Sequence, residues 1–264
     1  MKIVFICDFN PFTQSSAISN RYEGLLRGLA NDGVEIQMII RNFTERDSLC
    51  NLPSKITCSY LSHTCFRKKN KFEILNEVLL GDCLDKSQRI VLARVLEKVY
   101  DFIWIAGGNA IRRTVLDLLD TIKSKLYIEF SEYQQLYKQQ DMFFLRKWQY
   151  YREFKTTCKL IPHIHYIGLM TKALIPYYKQ YSSSDTKFLH LPMTVDLNRF
   201  AHNHIPVNNA SPYIAFVGTY TNIKDGVLIL IKSFSRICHK YPNVKLRLAG
   251  FDHPDRKVQM NYIK

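Results

Sequence analysis

The stretch Ser211–Gly250, SPYIAFVGTYTNIKDGVLILIKSFSRICHKYPNVKLRLAG, decides how this chain is read. Tyr213–Val217 is a short apolar run of the kind that forms a buried parallel strand, and Gly218 ends it. From Gly226 onward Val227, Leu230, Ile231, Phe234, Ile237 and Cys238 recur at helical spacing. Tyr241-Pro242-Asn243 breaks that helix. Val244, Leu246 and Leu248 then alternate with Lys245 and Arg247, which is strand spacing, and Gly250 closes the unit. Strand, helix, strand in this order predicts a parallel βαβ crossover. In such sheets anions bind beyond the strand's C-terminal end, where a helix N-terminus presents its free N–H groups. Gly218 permits close backbone approach, and Lys224 adds a full positive charge just ahead of the helix body. The pair suits a phosphate or pyrophosphate. A structural turn beside a solvated lysine fits the same spacing.

Upstream the same alternation repeats. Lys2–Cys7 reads as a strand rich in β-branched residues, Asp8–Ser16 as a loop, and a helix from about Ala17 places Ile18, Tyr22, Leu25, Leu26 and Leu29 on one face. Asn31-Asp32-Gly33 ends it before a second strand, Val34–Ile40. No G-x-G-x-x-G follows the first strand, and Arg41-Asn42 stand where a ribose-binding acid is expected, which argues against a dinucleotide fold. Phe43–Lys71 has little pattern. Phe72–Leu80, Lys86–Val99 and Ile111–Ile122 read as helices; Phe102–Ala106, Leu126–Phe130, Ile164–Met170 and Lys187–Leu191 read as strands. Ala173–Tyr181 reads as a helix with Pro176 inside it, and Asn198–Pro212 as a linker. Strands alternating with helices predict an α/β fold with a parallel sheet covered on both faces.

The chain has 264 residues, 47% of them hydrophobic, and 37 basic against 23 acidic residues, a formal charge of +14. That excess favours anionic partners, whether nucleotide, nucleic acid or acidic membrane surface. No nucleic-acid-binding module is recognisable, so none is expected as partner. The start, MKIVFICDFNPF, lacks the features of a signal peptide, and no apolar run approaches the roughly 20 residues that span a bilayer. With seven scattered cysteines, this points to a cytoplasmic setting. Cys50, Cys58, His63 and Cys65 lack the paired spacing of a zinc site, and no metal is expected. In residues 137–160, Met142, Phe143, Phe144, Trp148 and Tyr151 interleave with Lys138, Arg146, Lys147, Arg152, Lys155 and Lys159. Such a segment lies against an anionic membrane surface or packs on a core with a wet basic face.

Three segments, in order, resemble the family 4 glycosyltransferases. Gly218, Lys224-Asp225-Gly226 and the Leu228–Phe234 helix are similar to the start of that family's second domain, with its VG…KG or KDG pattern. His190–Phe200, HLPMTVDLNRF, resembles the P…VD…RF segment that joins the two domains, and Tyr127–Tyr133, YIEFSEY, resembles the E-x-x-E-Y strand end of bacterial members. The resemblance implies a GT-B architecture, with an acceptor-side Rossmann-like domain over 1–205 and part of a nucleotide-sugar-binding domain over 206–264. It implies transfer of a sugar, with retention, from a nucleotide-sugar to the hydroxyl of a glycan or lipid-linked acceptor, with no cofactor and no essential metal, in surface polysaccharide or glycoconjugate assembly. Peripheral contact with the inner face of the membrane through 137–160 agrees with such acceptors.

By the same resemblance Gly218, Thr219 and Lys224 would bind the donor, and Glu132, with Glu129, would orient the acceptor hydroxyl. Ser15 and Ser16 replace the family's Gly-Gly turn and, with Arg21, are possible cleft residues; a solvated arginine is the alternative for Arg21. Two departures stand out. Thr219 occupies the place of the family's arginine, which removes part of the cationic clamp. No E-x7-E pair follows Lys224, so the family's paired-glutamate motif is missing and the second domain is expected to be truncated. A non-catalytic relative of the transferases would keep the fold without turnover. A sugar-nucleotide epimerase shares the architecture, but Val195-Asp196 and Lys224-Asp225-Gly226 argue against it. Lys224→Ala is expected to weaken nucleoside diphosphate binding about tenfold or more, the loss of one charge-assisted hydrogen bond; unchanged affinity in a calorimetric titration would remove the role.

Overall fold

The computed structural model describes residues 1–14, 16–62, 70–138, 143–195, 212–218 and 226–250, and divides into two compact units, Met1–Leu197 and Asn198–Lys264. In the first unit β1 (Lys2–Cys7), β2 (Glu35–Ile40), β3 (Ile56–Tyr60), β4 (Phe102–Ile105), β5 (Lys125–Phe130), β6 (Tyr166–Leu169) and β7 (Lys187–His190) form one sheet in the order β3-β2-β1-β4-β5-β6-β7. Every pairing in it is parallel, with Phe5 opposite Met38 on one side and Trp104 on the other. The helices are α1 (Ala17–Asn31), α2 (Lys71–Leu80), α3 (Lys86–Leu96), α4 (Asn109–Asp117), α5 (Phe144–Leu160) and α6 (Ile175–Lys179).

Side chains one residue apart on a strand serve opposite layers. On β1, Val4 and Ile6 join Ile103, Ile105, Ile128 and Ile167 in a core roofed by Leu92 and Leu96 of α3, Ile111 and Val115 of α4, Leu160 of α5 and Tyr178 of α6. Ile3, Phe5 and Cys7 face the other way, onto Tyr22, Leu26 and Ala30 of α1. Strands buried on both faces read as continuous apolar runs, which is why KIVFIC and FIWI carry so little polarity. β3 is the exception. Its ITCSY alternates between buried and exposed positions on the sheet edge, and this short polar signal falls in a stretch that the sequence left without pattern.

Three expected helices have different bounds. The helix anticipated from Ile111 begins at Asn109 and passes into a 3₁₀ turn over Leu119–Thr121. Pro176 does not kink a helix: it sits in the first turn of α6, where its missing N–H has no intrahelical partner to lose. The basic aromatic segment is helical from Phe144, after a 3₁₀ turn at Leu136–Lys138, with 139–142 outside the described residues.

In the second unit β8 (Tyr213–Val217) and β9 (Lys245–Ala249) pair in parallel, joined by α7 (Val227–Ile237), as the crossover pattern predicts. Val227 and Ile231 pack on Phe216, Leu246 and Leu248. Gly250 is required by proximity: a Cβ there would lie 1.6 Å from the carbonyl oxygen of Gly218. The linker Asn198–Pro212 lies almost wholly outside the described residues.

Gly107, at the end of β4, is required for the same reason. A Cβ there would fall 2.2 Å from Cδ1 and 2.9 Å from Cβ of the fully buried Ile111. Gly107→Ala is therefore expected to push α4 off the sheet and cost about 1–3 kcal/mol by overpacking. Urea unfolding checks it; a variant as stable as the parent would show that the turn yields freely.

Candidate functional site

The chain runs outward through β2 and β3, then returns to add β4 on the other side of β1. The order therefore reverses between β1 and β4, and the crevice for a ligand in an open α/β sheet lies beyond the C-terminal ends of those two strands. Asp8 follows β1 directly, Arg41 follows β2, and Gly107-Gly108 follow β4. Asp82 reaches the same place from the loop between α2 and α3.

These side chains form one network. Arg41 donates to both carboxylate oxygens of Asp82, Nη1 to Oδ2 at 2.5 Å and Nη2 to Oδ1 at 2.7 Å. It also donates to the Cys83 carbonyl at 3.1 Å and to Asp8 Oδ1 at 3.5 Å. A two-pronged arginine–carboxylate pair fixes direction as well as charge. Burial works against the Arg41 charge, but Asp82 and Asp8 outweigh it and hold the guanidinium above its ordinary range. Asn109 Nδ2 donates to the Asp82 carbonyl at 3.4 Å, while its buried Oδ1 has no partner among the described residues.

The N-terminus of α4 points into this crevice, and Gly108, its N-cap, has no side chain with which to satisfy the first turn. Asp8 does so instead: its Oδ2 accepts from the Gly108 N–H at 2.5 Å. The carboxylate thus occupies the place that a ligand phosphate would take at a free helix end. What the crevice offers is the remaining edge of two carboxylates, a guanidinium and an amide, a set that matches hydroxyl groups better than a second anion.

The expected cleft residues fall in different places. Arg21 is neither solvated nor open to the crevice. It lies buried on α1, its Nε paired with Glu129 of β5, with both side chains about 4% exposed. Its Nη1 and Nη2 donate to the carbonyls of Pro192 and Leu191, each at 2.8 Å. Tyr127 O–H reaches Glu129 Oε2 at 3.5 Å. Beneath them Phe5, Tyr22, Trp104 and Tyr127 meet edge to face, at centroid separations of 4.9 to 5.7 Å. Burial in that setting raises the Glu129 carboxyl above its ordinary value, against the lowering effects of Arg21 and Tyr127. Glu132 is exposed just past the end of β5, and its backbone carbonyl accepts from Tyr178 O–H at 2.7 Å. Ser16 turns its hydroxyl to capping α1, accepting from the Ser19 N–H at 3.1 Å. Ser15, Thr219 and Lys224 lie outside the described residues. Gly218 ends β8, its N–H bonded to the Ala249 carbonyl at 3.0 Å, and α7 starts from Gly226 in the left-handed region (φ 64°) with no side-chain cap.

Sequence reasoning gave no place in the site to Asp8 or Asp82, and had Asn109 only within Gly107-Gly108-Asn109, the strand end at the edge where a cleft would lie. A signal existed for two of them: Asp8 and Asn109 each stand within a few residues of a strand's C-terminal end. Asp82 carries none, because only the packing of α2 and α3 brings it to Arg41. Among the described residues no cluster of histidine, cysteine, aspartate or glutamate could hold a metal ion.

The solved structures agree on the architecture. Sucrose-phosphate synthase from Thermosynechococcus elongatus superposes with a TM-score of 0.72 at 12% identity, over 99% of this chain and 68% of that one. The fold is GT-B. A trehalose-6-phosphate protein from E. coli bound with UDP-2-fluoro glucose matches at 0.59 and 9% identity, over 100% of this chain and 68% of that one. UDP-GlcNAc 2-epimerase from Neisseria meningitidis, bound to UDP-GlcNAc, matches at 0.56 and 14%, over 99% and 69%. No family model and no curated protein matches the sequence. A GT-B fold shared by synthases and an epimerase leaves the activity to be argued from the site.

The Arg21–Glu129 pair makes a sharp prediction. Arg21→Met leaves a carboxylate buried without its partner, which is expected to cost about 3–5 kcal/mol. Without Arg21 the Glu129 carboxyl rises further, so the native state holds a proton that the unfolded chain has released. Stability of the variant should therefore improve as pH falls from about 7.5 to about 5, narrowing the gap to the parent. Urea unfolding at the two pH values checks it; an equal gap at both would mean that Glu129 stays solvated.

Proposed function

We propose that this protein transfers a sugar, with retention, from a nucleotide-sugar to a hydroxyl of a glycan or lipid-linked acceptor, without a cofactor or essential metal, in assembly of surface polysaccharide or glycoconjugate. The observation that carries the reading is the Asp8–Arg41–Asp82 network at the strand-order reversal of a GT-B fold. Carboxylates held by an arginine accept hydrogen bonds from sugar hydroxyls, and such groups placed in a crevice orient one hydroxyl for attack. The nucleotide-sugars bound by the trehalose-6-phosphate protein and the epimerase support the same donor class here.

The two units divide the chemistry. In the first, Asp8 already fills the helix end that would otherwise attract phosphate, so this crevice serves the acceptor. Glu132, exposed past β5 on the same edge of the sheet, is a second acceptor contact. In the second, the Gly218 turn, Thr219, Lys224 and the uncapped N-terminus of α7 take the diphosphate. Charge develops on that leaving group as the glycosidic bond breaks, and fixed positive partners lower the barrier most where the charge grows. Glu129, tied to Arg21, serves as a positioning residue for the β5 end.

The test is product analysis with a panel of nucleotide-sugars and glycan acceptors, alongside donor titration. Asp8→Asn and Arg41→Ala should raise the acceptor KM at least about tenfold, the loss of one charged hydrogen bond, and leave donor Kd unchanged. Donor binding without any transfer would favour the non-catalytic reading. An unchanged acceptor KM in both variants would move the acceptor away from this crevice.

A further inference from the structure

The helix α2 wears its apolar stripe on the outside. Phe72, Leu75, Leu79 and Leu80 stand at i, i+3, i+7 and i+8, the spacing that ordinarily faces a core. All four are exposed, Phe72 at 69% and Leu80 at 67%, and Val78 is the buried residue of this helix. Single exposed leucines are commonplace, but a whole stripe on one short helix marks an interaction surface.

The neighbouring helix continues the pattern. Arg152 of α5 donates to the carbonyls of Leu79 and Leu80, closing the last turn of α2 and clamping the two helices together. One turn before Arg152 stands Trp148, 52% exposed, and Phe143 and Phe144 are exposed at the start of the same helix. Cations accompany these rings: Lys71 opens α2, Arg146 and Lys155 are exposed on α5, and Lys155 Nζ lies 4.8 Å from the centre of the Tyr151 ring.

We propose that α2 and α5 together are a membrane-docking surface, which seats the protein in the headgroup region of a bilayer rich in anionic lipid. The occupant follows from the chemistry of the two helices. α2 itself carries Lys71, Glu73 and Glu77, so the positive charge beside its leucines comes from α5, with Arg146, Lys147, Lys155 and Lys159. Aromatic and leucine side chains next to that basic helix match the boundary between acyl chains and anionic headgroups, whereas a second copy of this chain, itself at +14, would bring like charge to the contact. No helix among the described residues is long and apolar enough to cross a membrane. The position deepens the glycosyl-transfer reading, on which the next step rests. α2 ends at Leu80, and two residues later Asp82 grips Arg41 in the crevice. A surface that anchors α2 in the headgroup layer brings that crevice to the bilayer, and so selects a lipid-linked acceptor over a free glycan.

Vesicle co-sedimentation of the 264-residue chain tests the surface without any assay of transfer. Vesicles of phosphatidylcholine alone are compared with vesicles carrying about 30% phosphatidylglycerol, at about 50 and about 500 mM salt. Partition should be at least about tenfold stronger on the anionic vesicles at low salt and should fall with added salt. The double variant Phe72→Ser with Leu79→Ser should lose about tenfold in partition, with an unchanged thermal melt because both side chains are exposed. Trp148 supplies a second readout: its emission should shift to the blue on vesicle addition, and Trp148→Phe should abolish the shift, since Trp104 is 4% exposed. Equal binding to neutral and anionic vesicles, or undiminished binding by the α2 variant, overturns the proposal. So does a halved mass of that variant in sedimentation without vesicles, which would make the stripe a self-association face. Vesicle binding without sugar transfer sinks only the transferase reading; transfer to a soluble acceptor without vesicle binding sinks only this one.

Discussion

The first unit depends on one buried ion pair. Arg21 and Glu129 come from α1 and β5, more than a hundred residues apart, and meet on the face of the sheet beside four aromatic rings. Two charges taken out of water gain little over apolar groups unless every remaining donor is satisfied. Here the guanidinium completes its set on the carbonyls of Leu191 and Pro192. Those carbonyls belong to the chain just after β7, the edge strand of the sheet among the described residues. The pair therefore does three things at once: it fixes the roll of α1, holds the end of β5, and decides the direction in which the chain leaves the sheet.

The crevice shows a second economy of charge. The N-cap of α4 is Gly108, which has no side chain with which to cap the helix. Asp8, the residue after β1, accepts from the Gly108 N–H across the point where the strand order reverses. An internal carboxylate at a helix end stabilises the helix and at the same time cancels its attraction for outside anions. In the second unit α7 begins from a left-handed glycine, Gly226, with no side-chain cap among the described residues.

Sequence patterns were enough for the positions of the strongly apolar elements. β1, β4, β5, β8 and α7 have the expected positions because an apolar run, or a stripe at helical spacing, admits few alternatives. Burial differs: β8, expected as a buried strand, has Tyr213, Ile214 and Val217 exposed, because only Val227 and Ile231 of α7 pack on the two-stranded sheet. The edge strand β3 escaped because it is half polar, and the basic aromatic segment opens with a 3₁₀ turn at Leu136–Lys138 and is α-helical from Phe144. The candidate site was far less legible. Arg21 reads as a surface residue by its place on an amphipathic helix, and nothing local announces a carboxylate waiting on β5.

By itself the sequence determined the class of fold, the alternation of strands and helices and the second unit's crossover, since these follow from periodicities of two and 3.6 that are written locally. It also set the positive charge and the GT-B resemblance that the solved structures bear out at the level of architecture. Only the tertiary structure decided the strand order, the crevice between β1 and β4, the capture of Asp82 by Arg41 and the outward turn of the α2 stripe. Each of these joins residues tens of positions apart. Their meeting depends on which elements pack together, and a side chain's own neighbours in the chain carry no record of that.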